Sequence, residues 1–165
     1  NCEYLTSINL GDKLTTIGNS AFQNCTLLHE VSLPNSVTSI GSYAFRNTHI
    51  GVANIGPGIK YSSIGTGAFS DCIFLKEVII NSNLLANYSS YSSSNNINQF
   101  FGSQVWRYTI GDGVTSIGKY AFSNCVDMYS LHIGKNVTNI GDCAFQNCRG
   151  LSLMMFYTIS VIKLL

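Results

Sequence analysis

Six cysteines and three histidines are the side chains of this 165-residue chain best suited to chemistry. Thiols at fixed spacing hold zinc or form disulfides, and imidazoles complete metal sites or activate nucleophiles. Their placement argues against all of these. Cys25, Cys72, Cys125 and Cys148 each follow a phenylalanine (Phe22, Phe69, Phe122, Phe145) by three residues. Each also precedes by three residues the apolar residue that opens the next apolar run, and Cys2 stands in the same relation to Leu5. Repetition of one slot predicts a column of parallel thiols, whereas a disulfide needs Cβ atoms that face each other. The expected state is a set of free thiols buried as small hydrophobes. Cys143 stands apart, in the column of Ser20, Tyr43, Gly67 and Tyr120, and reads as exposed. His29, His49 and His132 fall at unrelated positions, so neither a metal nor another cofactor is expected. No Ser-His-Asp order, paired-carboxylate cleft or phosphate-cradling glycine loop is visible, and the chain reads as non-enzymatic.

The element that positions these residues is a repeat. Ile17-Gly18-x-x-Ala21-Phe22 returns at Ile40, Ile64, Ile117 and Ile140, in steps of 23, 24, 53 and 23 residues. Before each block runs an apolar-x-x-apolar-x-apolar pattern: Leu5/Ile8/Leu10, Leu28/Val31/Leu33, Ile50/Ala53/Ile55, Leu75/Val78/Ile80, Val105/Tyr108/Ile110, Met128/Leu131/Ile133 and Leu151/Met154/Phe156. Alternation at the second and third positions is the period of a strand buried on one face. Turn formers such as Gly11-Asp12 and Pro34-Asn35 follow, then a short β-branched stretch that reads as a second strand. The glycine after the isoleucine permits a bend, and Ala-Phe reads as a short helical or 3₁₀ turn that places Phe inside the coil. The asparagine before the cysteine slot (Asn24, Asn47, Asn124, Asn147; Asp71 in one copy) reads as a corner residue bonding backbone groups left open by the turn. A period in this range predicts a leucine-rich-repeat solenoid, mainly β with short helical or 3₁₀ turns, about 23 residues per coil and six to seven coils in one domain over 1–165.

Two coils depart from the frame. The third lacks one residue before Ile50 and gains two before Ile64. The fourth is longer, and residues 81–104 carry no Ile-Gly-x-x-Ala-Phe. Its Ser/Asn-rich composition suggests a flexible excursion. Leu84, Leu85, Ile97, Phe100 and Phe101 favour a degenerate coil tied to the core, because a long structureless loop is uncommon in a compact array. The sequence starts at an Asn-Cys corner without an atypical capping coil, so it reads as a piece of a longer array. Residues 157–165 abandon the repeat. They read as a strand covering the last coil, as a sticky end, or as an anchor, but are too short for a membrane span. Open solenoid ends allow end-to-end self-association.

Net charge is +1 with 10% charged residues, so no basic stripe for nucleic acid exists. The repeat Leu28-x-x-Val31-x-Leu33-Pro34-Asn35-Ser36-Val37-Thr38-Ser39-Ile40-Gly41-x-x-Ala44-Phe45 closely resembles the BspA-like (treponemal-type) leucine-rich repeat, and the resemblance covers residues 1 to about 156. It implies a cell-surface or secreted bacterial protein that adheres to protein partners on host or microbial surfaces, extracellular-matrix proteins such as fibronectin and fibrinogen among them. The family carries no fixed ligand-binding signature to transfer. Outward positions of the strands should form columns. The richest patch is Lys76, Glu77, Trp106, Arg107, Tyr129 and His132, since Trp, Tyr and Arg anchor interfaces. Against a ligand face stands the reading that Trp106 packs on the long insert and that Glu77–Arg107 is a surface pair. A spacer without a ligand and a carbohydrate-binding surface are the alternatives for the whole chain.

Overall fold

A computed structural model describes residues 2–151. In chain order the strands are β1 (Ser7–Asn9), β2 (Thr16–Ile17), β3 (Glu30–Ser32), β4 (Ser39–Ile40), β5 (Val52–Ile55), β6 (Glu77–Ile80), β7 (Arg107–Ile110), β8 (Ser116–Ile117), β9 (Ser130–Ile133) and β10 (Asn139–Ile140). They wind as a β-solenoid. One side carries β1–β3 and the four-stranded sheet β5–β6–β7–β9, and another carries β2–β4 and β8–β10. Every pairing is parallel and links the same repeat slot on successive coils, as in Ile8 with Val31 or Tyr108 with Leu131. The expected solenoid is thus present. Of the seventh strand only Leu151 is among the described residues; Met154, Phe156 and the tail lie outside them.

The core follows from the alternation. Ala53, Val78 and Tyr108, the middle apolar residues of three coils, are completely or almost completely buried. The repeat phenylalanines stack, with ring centroids 5.2 Å apart from Phe22 to Phe45 and from Phe45 to Phe69. Coil spacing near the ~4.8 Å of paired strands brings each ring onto the next.

The Ala-Phe corner differs from the expected helical turn. N–H groups alternate between two kinds of partner. Ala21, Gln23 and Cys25 donate within the coil to Gly18, Ser20 and Phe22, while Ser20, Phe22 and Asn24 donate to Ser42, Ala44 and Arg46 of the next coil. Tight turns in series are closed by left-handed residues at two slots. Ser20, Tyr43, Gly67, Tyr120 and Cys143 share one, with φ of 54–62°. Asn24, Asn47, Asp71, Asn124 and Asn147 share the other, with φ of 55–60°. Asn and Asp tolerate this region better than other non-glycine residues, which accounts for the corner asparagines. Two of their side-chain bonds link neighbouring corners, Asn47 Nδ2 donating to Asn24 Oδ1 (3.1 Å) and Asn147 Nδ2 to Asn124 Oδ1 (3.0 Å), while Asn124 Nδ2 donates to the Ser93 backbone carbonyl (2.7 Å). The glycine after the repeat isoleucine serves close stacking. A Cβ on Gly41 would lie 2.5 Å from the Asn19 nitrogen of the coil before it.

The fourth coil replaces both missing elements with single helical turns, α1 (Asn83–Ala86) and α2 (Asn98–Phe101). The α1 turn substitutes for the short strand: Gly118 N–H donates to Ala86 O (2.9 Å), and Asn83 Oδ1 accepts from the N–H groups of Thr115 and Ser116. Through α2, Phe101 continues the phenylalanine column, 5.2 Å from Phe69. Leu85, Ile97, Phe100 and Phe101 are buried, so residues 81–104 form a coil. Leu84 is the exception: it faces solvent at 58% exposure, because α1 turns only one side to the core.

Candidate functional site

Parallel pairing builds the surface columns. Glu77, Arg107 and Ser130 are in register on adjacent strands, as are Thr109 and His132. Trp106 N–H donates to Lys76 O and Tyr129 N–H to Trp106 O (2.9 Å), which lines up Lys76, Trp106 and Tyr129 just before the strands. The six sequence-predicted residues therefore occupy one side of coils four to six, with His132 in an outward column farther along the strands.

Within this patch Trp106 packs edge-on against Tyr129, ring centroids 4.7 Å apart at 90°. Such a pair contributes about 0.5–1.5 kcal/mol beyond area burial. Tyr129, rather than the long insert, is its aromatic partner. Both rings remain about two-fifths exposed (40% and 42%), so the pair keeps apolar surface to offer. Arg107 Nη1 lies 3.6 Å from Glu77 Oε2, with the arginine side chain half exposed; such pairs are worth under about 1 kcal/mol. Thr109 Oγ1 also donates to Glu77, at 3.5 Å. Lys76 is half-buried and His132 exposed.

The thiols take their places in the core and outside this patch. Cys25, Cys72 and Cys125 are buried and free. Cys72 Sγ donates to Phe45 O on the preceding coil (2.9 Å), as Cys148 Sγ does to Phe122 O (3.0 Å). Thr48, which replaces cysteine in one coil, donates to the same Phe45 carbonyl. Burial pushes the Cys72 thiol above its ordinary value, and contact with the Cys148 thiol together with burial does the same to Cys125. Two expectations need correction. Cys2 is exposed, and Cys148 is half-buried. Cys143 is partly rather than freely exposed, in the left-handed slot. Among the described residues no three His, Cys, Asp or Glu side chains converge as metal ligands.

Sequence reasoning missed two features of the same side. One is a groove over the first three coils, of about 480 Å³, lined by Ile8, Glu30, Val31, Val52 and their neighbours. Its signal was the residue missing before Ile50. The other is an apolar corner just before the strands, with Tyr4 (89% exposed), Leu27 (45%) and Phe74 (47%) in one column.

The model of the BspA type leucine rich repeat region matches in six copies, over residues 1–104 and 96–163. The chain belongs to the BspA-type leucine-rich-repeat family. This BspA-type chain is similar to the T. pallidum leucine-rich repeat protein TpLRR, at 22% identity over 93% of this chain and 57% of that one, with a TM-score of 0.50. It is also similar to a leucine rich cell surface protein of Faecalibacterium prausnitzii (25% identity, 92% and 47% covered, TM-score 0.48). A leucine-rich-repeat protein of Bacteroides ovatus matches at 19% identity, with 92% and 60% covered and a TM-score of 0.42. The chain spans about half the length of these structures. No curated protein matches it significantly. Among the described residues of this BspA-type solenoid no helix is long and apolar enough to cross a membrane.

Proposed function

We propose that this BspA-type solenoid is a non-enzymatic protein-interaction module of a cell-surface or secreted protein, and that it adheres to proteins on host or microbial surfaces. The observation that carries this reading is the Trp106–Tyr129 pair, large aromatic surface held half exposed in a fixed geometry on the strand side. Rigid aromatic anchors flanked by charge are what protein interfaces use most. Lys76, Glu77, Arg107 and His132 supply the polar surround. The family and the cell-surface description of the F. prausnitzii relative support the location. Exposed Trp and Tyr also suit sugar rings, which keeps a carbohydrate ligand as the second reading. Binding of the chain to immobilised fibronectin and fibrinogen, run beside a glycan array, separates the two. Saturable protein binding with a silent glycan array supports protein adhesion. Glycan signal alone assigns the face to carbohydrate, and silence in both favours a spacer.

A further inference from the structure

We propose that the groove over the first three coils is a second docking site, and that its occupant is an extended protein segment presenting a lysine or arginine between apolar side chains. The groove has a cause in the sequence. The third coil is one residue short before Ile50, and β3 and β5 lie in separate sheets. Gly51 stands in the slot that His29, Lys76, Trp106 and Tyr129 fill on other coils, so the wall is missing a side chain there. Val31, with a coil on either side of it, is partly exposed, while its column mates Ala53 and Val78 are at most 1% exposed. Val52 adds an apolar side chain at 45% exposure. The result is a cleft of about 480 Å³ in which Ile8, Val31 and Val52 stand among Ser7, Asn9 and Ser32.

Its charge selects the occupant. Glu30 lines the cleft and is exposed, and among the described residues no cation lies within ion-pair distance of it, in contrast to Glu77 beside Arg107. His29 Nδ1 donates to Leu27 O (2.8 Å), which ties the ring down beside Glu30. An unpaired carboxylate beside three aliphatic side chains complements a basic side chain and repels an acidic one. Side chains two positions apart in an extended segment share one face and lie about 7 Å apart, which lets the residues two before and two after the cation reach the aliphatic side chains while the cation meets Glu30.

The site is separate from the Trp106 patch and rests only on the reading of the chain as an interaction module. The probe is a set of Val-Ser-Xaa-Ser-Val peptides with Xaa as Lys, Arg, Gln or Glu, which puts Xaa and both valines on one face of the extended chain, titrated into isotope-labelled chain and followed by NMR. The Lys and Arg peptides should shift the Glu30, Gly51 and Val52 amides and bind about threefold more tightly than the Gln peptide, the scale of an exposed ion pair. Glu30→Gln should erase that preference. Gly51→Phe should abolish binding without changing the melting temperature, because a Cβ there meets nothing nearer than the Phe74 carbonyl at 3.9 Å. The Trp106→Ala/Tyr129→Ala variant should bind the peptides as the parent does, so loss of adhesion at that face leaves this site standing. Equal binding of the Lys and Gln peptides, or a preference that survives Glu30→Gln, overturns the proposal. Concentration-dependent pairing of the chain that Gly51→Phe removes also overturns it, and assigns the groove to a second copy.

Discussion

Two residues show how strictly the repeat frame governs side-chain chemistry. Tyr108 occupies a slot held elsewhere by Ile8, Val31, Ala53, Val78 and Leu131, and its hydroxyl is fully buried beside the Cys125 thiol, with no hydrogen bond of good geometry among the described residues. Burying an unpaired hydroxyl costs about 1–3 kcal/mol, and burial pushes its phenol far above the ordinary value. Tyr108→Phe keeps the ring against Phe122 (centroids 5.2 Å apart) and removes that cost. It should raise stability by about 1 kcal/mol in urea unfolding; a loss of that size would mean that the hydroxyl has a partner. The Cys72 thiol is held above the 9.0 of an unfolded chain, by burial first. A raised pKa means that the folded state keeps the proton longer than the unfolded one. Stability is therefore unaffected below pH 9 and falls as the pH climbs from there toward the folded value. The melting temperature of Cys72→Ala should decline less between pH 8 and 10.5 than that of the parent, and equal slopes would refute the assignment.

The irregular fourth coil is held by aromatic contacts from the third. Tyr61, in the short 3₁₀ turn Tyr61–Ser63, stacks on Tyr88 with centroids 4.0 Å apart and meets Tyr91 and Phe100 edge-on. Its hydroxyl donates to Asn95, and Tyr91 donates to Leu85 O (2.8 Å). Tyr61→Ala should free the 87–96 segment for proteolysis at least tenfold faster while the coils on either side keep their amide protection; unchanged cleavage would show that other contacts hold it. The sequence made much of this coil legible. Phe100 and Phe101 sit in an otherwise polar stretch and demand burial, and the length argues against a free loop. It did not show that α1 turns Leu84 outward, because a single helical turn has no periodicity to read. The left-handed slots were hidden for a different reason. Tyr43 and Tyr120 sit at φ near 58° although bulky residues disfavour that region, so residue type gave the wrong hint and only hydrogen-bond alternation reveals the requirement. The candidate patch was legible as columns, since parallel register carries each slot to the next coil. The groove was not, because a missing residue marks an irregularity without saying which way the surface moves.

At the scale of the molecule, stacking assigns roles. Inner coils bury their repeat Ile, Phe and Cys or Thr against their neighbours, as at Ile64, Phe69 and Cys72, and the phenylalanine column runs from Phe22 through Phe45 and Phe69 to Phe101. Residues that repeat are thereby committed to the scaffold, and the proposed recognition is assigned to those that break the repeat on the strand side. Such an array is quasi-one-dimensional, and truncating a surface side chain on one coil leaves distant coils intact. Most binding energy in an interface comes from a few aromatic and arginine anchors, each worth about 2 kcal/mol or more. The most direct measurement is surface plasmon resonance of the parent and of Trp106→Ala/Tyr129→Ala against whichever of fibronectin and fibrinogen binds the parent, with the circular dichroism melt of each variant recorded alongside. Affinity should fall at least thirtyfold, about 2 kcal/mol, with an unchanged melt. Full affinity in a correctly folded double variant would contradict the claim that this face is where the solenoid meets its partner.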